Sequence, residues 1–148
     1  MIKGIHHVGI TCRDMDRMIQ FYREAFGFEL RECFEWHDSE AFDRIINVSG
    51  SAARAVMMQA GHCCVELFEY TAPPPETDGP LRPQDRGYTH FCVEVTDIDA
   101  EYERLKGIGM QFGKHAPVEI GGSKALYGRD PEGNIIEILQ MATREADG

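Results

Sequence analysis

Four residues carry the chemistry this chain can attempt. His7 stands in "GIHHVGITCRDMD" and His90 in "YTHFCVEVTDID", while Glu66 lies in "HCCVELFEY" and Glu137 in "NIIEILQ". Imidazole nitrogens and carboxylate oxygens are ligands for borderline divalent cations such as Zn²⁺, Ni²⁺, Co²⁺, Mn²⁺ and Fe²⁺. Taken singly, each residue has a plainer reading. Either histidine could cap a strand end, and either glutamate could face solvent from a half-exposed strand. A charged Glu inside an apolar strand is nevertheless costly unless it is paired or holds a cation, and here it occurs twice in matched surroundings.

The match is an internal repeat. "HVGITCRDMD" (His7–Asp16) lies over "HFCVEVTDID" (His90–Asp99) at an offset of 83 residues, with His7 over His90 and Asp14 over Asp97. "VELFEY" lies over "IEILQM" at an offset of 71, with Glu66 over Glu137. The first copy has the longer middle, around "CFEWHDSEAFDRIINVSGSAARAVMMQ". Copies related by approximate symmetry bring equivalent positions together about a shared axis, so His7, Glu66, His90 and Glu137 are expected in one cluster. Register with His90 selects His7 from the adjacent pair. Successive strand residues face opposite ways, so His6 is expected toward the helix side or the strand end.

The elements that must position these residues read alike in both copies: a strand, a helix, then several strands, roughly βαβββ, in an α+β chain. Asp14 and Asp97 are N-cap candidates. Met15, Met18, Ile19, Tyr22 and Phe26 recur at helical spacing before Gly27, and Ile98, Tyr102 and Leu105 before Gly107 and Gly109. "DPEGN" (Asp130–Asn134) is a hairpin turn into the last strand. The modules are expected at 1–70 and 88–141. Residues 71–87 hold five of the seven prolines and read as a linker, and residues 142–148 as a frayed tail.

Composition narrows the partners. A net charge of −10 over 148 residues speaks against nucleic acid or an anionic membrane, because phosphates would be repelled. No apolar run approaches the roughly 20 residues of a membrane span, and no signal peptide is visible, so a cytoplasmic setting is expected. Five cysteines without a CxxC spacing do not suggest a disulfide scaffold or a thiolate zinc site. Cys63, Cys64 and Cys92 read instead as small buried hydrophobes. His37, His62 and His115 have no repeat partner and read as surface residues. Phe34, Trp36 and Phe42 read as core or as a pocket wall. "EIGGSK" (Glu119–Lys124) reads as a hairpin loop, with a lid carrying Lys124 as the alternative. Arg44, Arg54, Arg82, Arg86, Lys124 and Arg129 are the cations available to an anionic substrate.

At these segments, together with "GRDPEGNIIEI", the chain resembles the vicinal oxygen chelate superfamily, which includes glyoxalase I, methylmalonyl-CoA epimerase, fosfomycin-modifying transferases, extradiol dioxygenases and bleomycin-binding proteins. The resemblance implies two tandem βαβββ modules whose sheets curl around a metal cavity, often in a homodimer. It carries the family's ligand positions onto His7, Glu66, His90 and Glu137, a set like that of glyoxalase I. The implied activity is that of a divalent-metal-dependent lyase or isomerase, moving a proton next to a metal-bound carbonyl through an enediolate or enolate. Zn, Ni or Co is the expected metal, with Mn or Fe as alternatives, and the substrate is a small molecule with vicinal oxygens. Glu137 is expected as the base, with Glu66 as its symmetric alternative. A second reading is an Fe(II) or Mn(II) ring-cleaving dioxygenase using His7, His90 and Glu137, against which the fourth ligand Glu66 counts. A third is a metal-free binding protein conferring resistance, against which the full ligand set counts.

Overall fold

The computed structural model describes residues 1–76 and 79–142. The chain divides into two compact units, Met1–Asp78 and Gly79–Gly148. The first runs β1 (His7–Thr11), α1 (Met15–Phe26), β2 (Glu29–Trp36), α2 (Glu40–Ile46), β3 (Ala52–Ala60) and β4 (Cys63–Ala72). The second runs β5 (His90–Glu94), α3 (Ile98–Gly107), β6 (Gln111–Phe112), β7 (Val118–Ile120), β8 (Ser123–Arg129) and β9 (Ile135–Gln140). The tail expected from residue 142 lies, from Thr143 onward, outside the described residues.

Each unit is a mixed sheet with its first strand laid parallel against its last. The sheet orders are β1-β4-β3-β2 and β5-β9-β8-β6, with β7 added on β8. A parallel neighbour cannot be reached by a tight turn. In both units the intervening helix and antiparallel strands carry the chain back. The α+β architecture and the strand–helix–strands order are those expected from the repeat. The longer middle of the first copy contains α2, a short helix with no counterpart in the second.

The helices start and stop where the sequence marks them. Asp14 Oδ1 accepts the N–H of Arg17 at 3.0 Å and Asp97 Oδ1 that of Ala100 at 3.1 Å. Gly27, at φ 66°, closes α1 in the left-handed region that glycine enters without strain. The buried stripe of α1 is Met15, Met18, Phe21, Tyr22 and Ala25. Phe21 and Ala25 therefore join the expected face, while Ile19 and Phe26 sit half-buried on its flanks. The helix is rotated by less than one residue step from the face the spacing suggested. The helix lies against β4, and on the same face Val65 and Leu67 of β4 and Val56 and Met58 of β3 are all at 3% exposure or less. Burying one such side chain stabilises the fold by about 1.5–3 kcal/mol.

Alternation leaves the other face of each sheet free for chemistry. In β1 the exposed positions are His7, Gly9 and Thr11, and in β5 they are His90, Cys92 and Glu94. Cys92 is thus exposed rather than buried, because an apolar-looking run in an edge strand still has two faces. Cys12 is the buried cysteine. "DPEGN" forms the expected turn around the fully buried Asp130. One oxygen of that carboxylate accepts the N–H groups of Glu132 and Asn134, and the other accepts from Asn134 Nδ2. Gly133, at φ +92° with Pro80 Cγ 2.9 Å from where a Cβ would stand, has room for no other residue.

Candidate metal centre

Within each unit the parallel pairing brings one histidine to one glutamate. His7 is the register partner of Cys64, and His90 that of Ile135. In both cases the Glu lies two residues further along the last strand, on the same face. The His then reaches diagonally, so that His7 Nε2 is 3.2 Å from Glu66 Oε2 and His90 Nε2 is 3.4 Å from Glu137 Oε2. The repeat in sequence is thus a repeat in register.

The far ring nitrogen is engaged in each unit as well. His7 Nδ1 is 2.9 Å from Nδ1 of His6, and His90 Nδ1 is 3.1 Å from Thr89 Oγ1. A ring whose Nδ1 is tied to a neighbour presents Nε2 in a fixed direction, the arrangement by which outer contacts orient metal-ligating histidines. His6 therefore stays exposed at the strand end, edge-on to the His7 ring at 87°, and its carbonyl accepts the N–H of Cys64 at 3.0 Å. His37, His62 and His115 are exposed, as expected of residues without a repeat partner.

The donor set suits a divalent cation: one nitrogen and one carboxylate oxygen converge in each unit on an open sheet face. Within a unit the grouping is a pair. Among the described residues, no three His, Cys, Asp or Glu side chains gather in a group placed to hold a metal.

Two tyrosines stand by these pairs. Tyr127 in β8 is the register partner of Glu137, and its hydroxyl lies 3.3 Å from His90 Nε2. Burial, then the charge of Glu137, pushes its phenol above the usual range. In the first unit Tyr70 lies on the same face of β4 as Glu66, and burial with the Glu66 charge moves its phenol the same way. Cys92, opposite Glu137, has its thiol pushed up to about 11 by burial and by the charge and hydrogen bond of Glu137. Sequence reading passed over Tyr127, although a signal existed. Positions placed symmetrically about Glu132 in the hairpin pair with each other, which sets Tyr127 opposite Glu137.

The surroundings of the two glutamates differ. Opposite Glu66 stand Gly9 and Met57, which offer no side-chain donor, whereas opposite Glu137 stand Cys92 and Tyr127. Beyond Glu66 the first sheet carries an aromatic cluster on the same face. Trp36 is buried over Ala53 and Ala55, with Phe34, Phe42, Phe68 and Tyr70 packed against it. The small alanines leave the depth that Phe42 of α2 fills, its ring stacked 4.5 Å from that of Trp36. A polar chain pins this helix: Trp36 Nε1 donates to Ser51 Oγ at 2.9 Å, and Ser51 Oγ donates to Asp43 Oδ1 at 2.6 Å. The aromatic trio of the insertion is a packed cluster. Lys124 is likewise not on a lid: it sits in the β7–β8 hairpin and pairs with Asp99.

Comparison with known proteins agrees with this geometry. Residues 4–138 match the family model of the glyoxalase/bleomycin resistance protein/dioxygenase superfamily. The chain is 31% identical over 148 residues to a 2-epi-5-epi-valiolone epimerase of an Actinomyces species, covering 93% of this chain and 79% of the relative. It is 28% identical over 142 residues to the metallothiol transferase FosB of Shouchella clausii, covering 93% and 80%. Among solved structures, a glyoxalase family protein from Bacillus cereus superposes with a TM-score of 0.85 at 23% identity, covering 96% of both chains. The fosfomycin resistance protein FosX of Listeria monocytogenes, solved with Mn(II) and sulfate, superposes with a TM-score of 0.63 at 17% identity, covering 98% of both. With strand, helix and ligand-face register repeated in both units and a family match over almost its whole length, the chain belongs to the glyoxalase/bleomycin resistance protein/dioxygenase superfamily.

Proposed function

We propose that the protein is a divalent-metal-dependent lyase or isomerase, of the glyoxalase I or epimerase type, in which His7, Glu66, His90 and Glu137 supply the metal ligands. The observation that carries this reading is the pair of equivalent contacts, His7 to Glu66 at 3.2 Å and His90 to Glu137 at 3.4 Å. Kinship with an epimerase at 31% identity supports a reaction in which a proton changes place. When bound, the cation draws electron density from a substrate carbonyl and stabilises the negative charge that appears as a neighbouring C–H proton leaves. Glu137 takes that proton on a carboxylate oxygen and returns it to the same or the adjacent carbon. Glu66, matched to it by the repeat, is the alternative base. Thr89 and His6 hold the two imidazoles in orientation. Tyr127, at the edge of the second pair, offers its hydroxyl to a substrate oxygen.

The test is metal analysis of the purified protein beside the His7→Ala/Glu137→Ala double variant, with reconstitution by Ni, Co, Zn, Mn and Fe. Exchange of a methine proton next to a carbonyl is then followed in D₂O on α-keto hemithioacetals and acyl-CoA thioesters. Stoichiometric metal in the wild type, lost in the variant, together with metal-dependent exchange, is the expected result. Metal uptake without exchange but with oxygen consumption on catechols would transfer the reading to a dioxygenase. Negligible metal in both proteins after reconstitution would overturn it.

A further inference from the structure

On the second sheet, a cavity of ≈ 300 Å³ is lined by residues of β6, β8 and β9. Tyr127 lines it and stands 3.3 Å from His90. Ile135, another lining residue, is the register partner of both His90 and Arg129. Gln111 is paired with Arg129 across β6 and β8, so Gln111, Tyr127 and Arg129 share the face that carries Glu137. The lining includes Arg129 and no carboxylate, although acidic residues outnumber basic ones by 25 to 15 along the chain.

The polar side chains of the lining, Gln111, Tyr127 and Arg129, all carry hydrogen-bond donors. A guanidinium carries five N–H groups, and Arg129 Nη1 donates to the carbonyl of Gly133. That bond anchors the half-buried side chain at the turn and uses one of the five. The Gln111 amide and the Tyr127 hydroxyl add further donors. Planar anions match such a fork in geometry and charge. An apolar or cationic occupant would strip water from Arg129 without replacing its partners.

We infer that this cavity is an oxyanion subsite, taking a carboxylate or phosphoryl group carried by the substrate. The inference rests on the proposed function for its setting, since it names the substrate class of that site. The substrate is then a small oxo or hydroxy compound bearing an acidic group, with its reacting carbon toward the His90–Glu137 pair and its acidic arm against Gln111, Tyr127 and Arg129. Ile135, Pro83 and Phe112 form the apolar walls between which the arm enters.

The experiment uses full-length protein freed of metal by EDTA, so that its outcome is independent of whether the metal ligands act as proposed. Acetate, methylphosphonate and, as the neutral control, acetamide are titrated while ¹H–¹⁵N spectra follow the Gln111 side-chain amide and the Gly113 and Gly128 backbone amides. Saturable shifts with acetate alone identify a carboxylate, and those with methylphosphonate alone identify a phosphoryl group. Both are expected to weaken about tenfold in Arg129→Gln, the size of a lost charge-assisted bond. Arg129→Gln also removes the bond to Gly133, so Gln111→Leu, which leaves the turn intact, provides the second variant and should weaken the same shifts. No saturable shift with either anion, equal shifts with acetamide, or undiminished binding in both variants would overturn the inference. Failure of metal binding with these shifts intact would overturn the proposed function alone.

Discussion

Glu69 Oε1 accepts the backbone N–H of Met15 at 3.1 Å, fastening the last strand of the first unit to the opening turn of α1. Gln140 Oε1 does the same for Ile98 at 2.9 Å in the second unit. Each lies three residues beyond its candidate ligand, Glu66 or Glu137, and so on the opposite face of the strand. One strand therefore carries a candidate ligand on one face and a helix anchor on the other. Glu69→Ala should lower stability by about 1–2 kcal/mol, the cost of leaving a partly buried N–H without its partner. Glu69→Gln, which keeps an acceptor, should lose less than half of that. Urea denaturation measures both, and an equal loss in the two variants would show that charge rather than the bond matters.

Bound metal should stabilise the fold by mass action. Ni, Co or Zn at about a hundredfold over its dissociation constant should raise stability by about 2.7 kcal/mol, read as a rise in Tm that EDTA reverses. His7→Ala and His90→Ala should each abolish most of that rise. If only one of the two did so, the ligand set would not be shared equally by the two units.

Asp43 gives the insertion a pH dependence. Hydrogen bonds from the Ser51 hydroxyl and from the N–H groups of Ser51 and Gly50 hold its carboxyl below the ordinary value of 3.8. Since the folded form binds the proton less readily than the unfolded one, the contribution is complete above about pH 4 and is lost as the pH falls through the lowered folded value. Trp36, the single tryptophan, donates to Ser51 and therefore reports on this network. Its fluorescence should change on acidification below about pH 4 in the wild type. Asp43→Asn should show the altered emission already at neutral pH, with little further change.

Cys92 should be a slow thiol despite its exposure. With its thiol raised from 9.0 to about 11, its thiolate fraction near pH 8 is about a hundredfold below that of an ordinary thiol. Iodoacetamide labelling of the metal-free protein, followed by peptide mass spectrometry, should therefore modify Cys92 last among the exposed cysteines. Glu137→Gln should speed its labelling by removing the carboxylate charge while leaving the partial desolvation by its neighbours.

The features legible along the chain are local or repeated. The caps at Asp14 and Asp97, the stop at Gly27 and the turn at Asp130–Asn134 are written within a few residues of where they act. His7, Glu66, His90 and Glu137 stand out as candidate ligands because two copies of one pattern betray their matched positions. Tertiary structure decided what depends on cross-strand register and on the facing of side chains. It set Tyr127 and Cys92 beside Glu137, Gln111 beside Arg129, and Gly9 and Met57 beside Glu66, partners 9 to 57 residues apart with no periodic signal joining them. It also turned the aromatics around α2 into a cluster on the Glu66 face, because Ala53 and Ala55 leave a hollow there. Hydrophobic periodicity reports which residues avoid water, and it does not report which strand will lie alongside them. That is settled only when the sheet closes its hydrogen bonds.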